Sequence, residues 1–187
     1  MSANKLNEPW NSFLRDLDQI VQGPTHLHCI GGFVVTNFYG FDRETRDLDV
    51  LDARSHGKLD ELFELAQEGS ALHKKHSAYL QRVTILEAYP GDYETRLSEM
   101  YAGAFTKMRL FAPEAHDLAL MKLGRNSERD REDVKYLVRA GRITEEELRD
   151  RYEKEMRGYI AVLERRTDPI VELWIDMIRK ERLRNQG

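Results

Sequence analysis

A chain of 187 residues has room for one core with a helical extension and little room for two large independent domains. Hydrophobic residues at 41%, charged residues at 33% and a mean hydropathy of -0.64 exclude a disordered chain and fit a soluble globular protein with well-charged helices. With 29 basic against 33 acidic residues the net charge is -4, which excludes a broad nucleic-acid-binding surface driven by overall charge but leaves room for a local basic groove.

Residues 8 to 22 begin with Pro9 and set Trp10, Phe13, Leu14, Leu17, Ile20 and Val21 at helical spacing before Gly23-Pro24 stops the run. Leu27 to Ile30 then predicts a short strand running into Gly31-Gly32. Phe33 to Tyr39 turns into a helix that Gly40 closes. Arg46 to Leu51 alternates charge with Leu48, Val50 and Leu51, the pattern of a strand with one polar face. Lys58 to Ala66 reads as a helix with Leu59, Leu62, Phe63 and Ala66 on one stripe, and a loosely defined stretch rich in His and Lys follows. Arg82 to Tyr89 predicts another strand. Phe105 to Phe111 predicts one more, which Pro113 ends before taking a place in the first turn of a helix containing Leu118, Leu120, Met121 and Leu123.

From Glu128 onward the pattern is helical, with Thr144 and Glu147 as a capping box and Asp168-Pro169 as the start of the last helix. The expected fold class is α+β: a small mixed sheet with helices leading into a helical C-terminal part. Cys29 is the only cysteine, so no intramolecular disulfide forms, and it reads as a buried, inert thiol. The N-terminus lacks the layout of a signal peptide, and no stretch approaches the roughly 18 apolar residues of a membrane span. The expectation is a cytosolic protein with no membrane partner.

Asp47 and Asp49 are one residue apart on a predicted strand, so both side chains share a face while Leu48 takes the other. Paired carboxylates suit hard divalent ions such as magnesium, which bridge them to substrate phosphates, and two such ions are expected. Gly31-Gly32 supplies the complementary half, since glycine lets backbone amides approach a phosphate closely.

The stretch CIGGFVVTNFYGFDRETRDLDVL resembles the polymerase-beta-like nucleotidyltransferases, whose signature is Gly-Gly or Gly-Ser after a strand followed by Asp-x-Asp on the next. It is nearest to the bacterial abortive-infection and toxin-antitoxin branch, matched by Arg43, Thr45, Asp47 and Asp49, with Lys122, Arg129, Asp130 and Asp133 downstream. The resemblance covers roughly residues 26 to 138. It implies a catalytic lobe over residues 1–112 and a helical lobe over 113–187. Asp47 and Asp49 would hold the metals and Gly31 and Gly32 would receive the triphosphate. Lys122 would neutralise phosphate charge, with Asp130 and Asp133 orienting it or lining the nucleotide pocket. Glu87 would complete the metal site as the third carboxylate, with Asp92 as the substitute.

The implied activity moves a nucleoside monophosphate from a nucleoside triphosphate to a hydroxyl of a tRNA or protein acceptor, as part of a toxin-antitoxin or defence pair with a cognate partner protein. The alternative is a weak or inactive member that binds nucleotide or a partner as a regulator. A purely structural helical adaptor ranks last. Two readings also stand at several other positions. Arg43, Thr45 and Arg46 are taken as nucleotide contacts, though Arg43 and Arg46 equally serve to balance the aspartates. His26 and His28 are a metal pair without a third ligand, or structural. His73 and His76 with Lys74 and Lys75 contact phosphate or RNA, or form a solvated helix face. ERDRED, from Glu128 to Asp133, reads as exposed helix but for the upstream motif, and Arg179, Lys180, Arg182 and Arg184 suit a helix C-terminus or an RNA contact.

Overall fold

Trp10, Phe13, Leu14 and Leu17 recur at the spacing of one helical face, and all four are buried in α1 (Trp10–Ile20). The computed structural model describes residues 6–51, 55–83, 89–157 and 161–185, the side chains of 161–166 excepted. The chain divides into two compact units. One comprises Met1–Ile85 with Leu97–Ala112, the other Leu86–Arg96 with Pro113–Gly187.

In the first unit, β1 (Thr25–Ile30) passes directly into α2 (Gly31–Asn37), and β2 (Asp47–Leu51) follows. Then come α3 (Leu59–Ala66), α4 (Ala71–His76), β3 (Tyr79–Val83), β4 (Ser98–Met100) and β5 (Met108–Ala112). Among the described residues the five strands form one mixed sheet in the order β3-β2-β1-β5-β4. β2 runs antiparallel to β1 and parallel to β3, and β1 runs parallel to β5. Leu27, Cys29, Leu48, Val50, Leu80, Met108 and Leu110 alternate onto one buried face, so Asp47 and Asp49 necessarily take the other.

Several boundaries differ from the pattern-based expectation. The strand expected over Arg82 to Tyr89 begins at Tyr79, because Tyr79 to Val83 pair in register with Asp47 to Leu51. Residues 84–88 lie outside the described residues, and Tyr89 is not in a strand. The loosely defined His and Lys stretch is the helix α4, its first turn capped by Ser70, whose hydroxyl accepts from the His73 amide. The strand expected from Phe105 begins at Met108. The reason lies in α1: the buried Asp18 carboxylate accepts from the Thr106, Lys107 and Met108 amides at 2.8 Å each, clamping that segment to the helix.

The second unit holds a short 3-10 turn (Tyr93–Arg96) and the helices α5 (Ala115–Leu120), α6 (Glu128–Arg139), α7 (Glu145–Arg151) and α8 (Ala161–Asn185). Its core contains Leu118, Leu123, Val134, Leu137, Leu148, Trp174, Ile175 and Ile178. Glu114 caps α5, so Pro113 precedes the helix rather than sitting in its first turn. Thr144 caps α7 by accepting from the Glu147 amide, as the capping signature predicts. Asp168-Pro169 does not begin the last helix, which starts at Ala161 and runs through Pro169. The Asp168 carboxylate is spent on tertiary contacts, accepting from the Tyr152 hydroxyl and from Arg157.

Candidate active site

β2 projects Asp47 and Asp49 from one face, both half-buried, with Leu48 buried behind them. The register sets Ile30, the last residue of β1, opposite Asp49, so the Gly-Gly turn that follows Ile30 lies beside the carboxylates. Gly31 has φ +70, and a Cβ there would overlap Asp49 Oδ2. A Cβ on Gly32 would stand 2.6 Å from Arg43 Nη2. The glycines are thus required by this chain's own side chains: one makes room for an aspartate, the other for a guanidinium.

The loop into β2 supplies the surroundings of the pair. Thr45 Oγ1 donates to Asp47 Oδ1 at 2.7 Å. Arg43 donates to the Glu44 carbonyl and lies 5.9 Å from the Phe41 ring centroid. The same loop bounds a cavity of about 570 Å³, lined by Thr36, Asn37, Phe41, Arg43, Thr45 and Arg46 among others but by neither aspartate. On β3 the register places Tyr79 beside Asp47 and Gln81 beside Asp49. Burial raises the Tyr79 phenol above its ordinary range, and the negative charges of Asp47, Glu68 and Asp49 add to the effect.

The other expected site residues gather in the second unit. Lys122 is 4% exposed and donates to Asp130 Oδ1 at 3.3 Å and Asp133 Oδ2 at 3.0 Å, the two acids being 0% and 1% exposed. Asp130 also accepts from Arg125 at 2.8 and 2.6 Å and from the Ser127 hydroxyl and amide. Burial on its own would raise the Asp130 pKa, yet the Arg125 hydrogen bonds, the Lys122 charge and Ser127 together hold it far below the usual carboxylate range. ERDRED therefore has two faces: Glu128, Arg129 and Glu132 are exposed, and its two aspartates are core.

A family model described as "Nucleotidyltransferase of unknown function (DUF6036)" matches residues 12–182. The chain belongs to this nucleotidyltransferase family. No curated protein and no solved structure matches it significantly.

The nucleotidyltransferase fold thus brings Gly31, Gly32, Arg43, Thr45, Asp47 and Asp49 together in the first unit, with Arg46 on the cavity wall, and Lys122, Asp130 and Asp133 together in the second. Glu87 lies outside the described residues. Asp92 is exposed, and its amide donates to Glu155. Among the described residues no group of three or more His, Cys, Asp or Glu side chains is arranged to hold a metal ion. Two carboxylates on one strand face nonetheless suit a magnesium ion, which takes one or two protein carboxylates and fills its remaining positions with water and phosphate oxygens.

His26 and His56 join through paired backbone hydrogen bonds of 2.9 Å, while the buried His28 ring meets Phe111 and His56 edge-on. His76 and Lys75 both reach Asp16, and His73 accepts from the Gly69 amide. Arg179 pairs with Glu145, and Cys29 is buried with its thiol pushed far up by desolvation.

Sequence reasoning missed Tyr79 and Gln81 as neighbours of the aspartates because it placed their strand three residues late. It also missed Arg125 and Ser127. Ser127 followed three residues later by Asp130 carried a capping signal, and the capping box is present.

Proposed function

We propose that this nucleotidyltransferase-family protein transfers a nucleoside monophosphate from a nucleoside triphosphate to a hydroxyl of a macromolecule, a tRNA or a protein, with Asp47 and Asp49 holding the divalent cation. The observation that carries this reading is the close fit of Asp49 over Gly31 and Arg43 over Gly32, which sets a carboxylate of the Asp-x-Asp strand and a guanidinium around one turn. Arg43 supplies a planar, permanently charged donor for phosphate oxygens. The cavity bounded by Arg43, Thr45 and Arg46 adjoins it and has the scale of a small-molecule site. A bound magnesium ion would neutralise the phosphates and orient them for attack. The acceptor oxygen forms a bond to the α-phosphorus, the bond to pyrophosphate breaks, and the hydroxyl proton passes to solvent.

The test is incorporation of labelled nucleotide with magnesium and candidate acceptor tRNA or protein. Asp47→Ala and Asp49→Ala should each reduce incorporation to background without altering the folded state; activity surviving both changes rules the proposal out. Such an activity suits a defence or toxin-antitoxin pair, and co-purification with a cognate partner tests that setting.

A second reading, a nucleotide-binding regulator with weak turnover, draws support from Gln81. The residue beside Asp49 on the neighbouring strand is an uncharged amide where a further carboxylate would strengthen cation binding. Triphosphate binding without pyrophosphate release, across candidate acceptors, would favour it.

A further inference from the structure

Thr45 Oγ1 lies 2.7 Å from Asp47 Oδ1 and 3.3 Å from the Asp47 backbone oxygen, and Thr45 also lines the cavity bounded by Arg43 and Arg46, of which Asp47 and Asp49 are not lining residues. A threonine hydroxyl has one proton, and both acceptors in its reach belong to Asp47. The proton is therefore committed to the aspartate. While that hydrogen bond is kept, the hydroxyl has only lone pairs left, which receive a hydrogen bond and do not give one to a phosphate oxygen.

The two carboxylates are held by different means. Asp49 lies against Gly31, in the space that a Cβ there would fill. Asp47 is half-buried at the first position of β2 and is steadied by the hydroxyl two residues before it. A ligand group locked by an outer hydrogen bond loses less freedom when a cation binds.

We infer that Thr45 is a positioning residue that orients the Asp47 carboxylate for a divalent cation, and that it makes no donor contact to the substrate's phosphates. The inference rests on the reading of Asp47 as a cation ligand given above. It assigns Thr45 a different duty from the nucleotide contact that the family resemblance implies. Valine matches threonine in shape and removes only the hydroxyl, while serine keeps it.

The experiment titrates manganese alone, followed by electron paramagnetic resonance, into the full chain and into Thr45→Val, Thr45→Ser and Asp47→Asn. ATP binding is measured separately by calorimetry in excess chelator. Thr45→Val should weaken manganese binding about tenfold, Thr45→Ser should return to wild-type affinity, and metal-free ATP affinity should be the same in all the Thr45 variants as in wild type. If valine disturbs the fold, Thr45→Ala repeats the measurement. Wild-type manganese affinity in the folded Thr45→Val or Thr45→Ala protein, with Asp47→Asn impaired, overturns the positioning role alone. A loss of metal-free ATP affinity in those variants makes Thr45 a phosphate donor and also overturns it. Wild-type manganese affinity in Asp47→Asn instead removes the underlying reading of the site.

Discussion

Both units gather aspartates, and they treat them in opposite ways. In the first, Asp47 and Asp49 stay half-buried on a sheet face, Asp47 accepting from a neutral hydroxyl and Asp49 packed over Gly31. In the second, Asp130 and Asp133 are withdrawn from solvent and tied to Lys122, with Arg125 completing Asp130. Burying a carboxylate costs several kcal/mol unless cations and donors surround it. A carboxylate so surrounded has its charge already balanced within the protein. One that keeps part of its surface and takes a neutral partner remains suited to an external cation. The contrast sets the proposed cation site apart from a buried ion-pair cluster, although both came from one sequence resemblance.

The largest stability effect should come from that cluster. Asp130→Ala leaves Lys122 buried with half its compensation and should lower unfolding stability by about 3–5 kcal/mol, measured by denaturant titration. A loss below about 1 kcal/mol would place Asp130 with the exposed pairs and erase the contrast.

At the other site, Gly31→Ala should cost about 1–2 kcal/mol from its left-handed backbone alone and should abolish nucleotide incorporation, since the new Cβ displaces Asp49. Gly32→Ala should be milder on both counts, because its φ is not left-handed and the atom it meets is the far end of the long Arg43 side chain. Equal effects at the two glycines would contradict the fit of Asp49 over Gly31.

Acid provides a third comparison. Burial would raise the Glu114 pKa, but the hydrogen bond and charge of His116 and the charge of Arg151 lower it from 4.5 to about 2. A depressed carboxylate stabilises the folded state above its unfolded pKa, and that stabilisation disappears as pH falls through the folded value. The second unit should therefore weaken between about pH 4.5 and pH 2, and Glu114→Gln should flatten that part of a stability-against-pH curve. An unchanged slope would remove Glu114 as a contributor. The smallest effect belongs to Lys58→Ala, which deletes an exposed pair with Glu61 and should change stability by less than about 1 kcal/mol.

How much was legible before folding varied with the range of the interaction. α1, the strand into Gly31, the Asp-x-Asp strand and the Thr144 cap depend on neighbours within a few residues, and their patterns were readable. The register of β3 against β2 was not, since Tyr79 meets Asp47 at a separation of 32 positions, and only that pairing shows Gln81 beside Asp49. The start of β5 depends on Asp18, some 90 residues earlier, whose carboxylate takes three amides. The burial of Asp130 and Asp133 was equally hidden, because alternating charge along a helix looks the same on a solvated face as around a buried lysine. Within the site, the aspartate pair and the glycine doublet were readable as a motif. What the glycines make room for was not.

The central claim concerns Asp47 and Asp49, and the most direct measurement is magnesium-dependent pyrophosphate release from nucleoside triphosphates in the presence of acceptor tRNA or protein, comparing the wild-type chain with Asp47→Asn/Asp49→Asn at matched thermal stability. Release by the wild type that falls to background in the double variant is the expected result. Equal release by the folded double variant would contradict it.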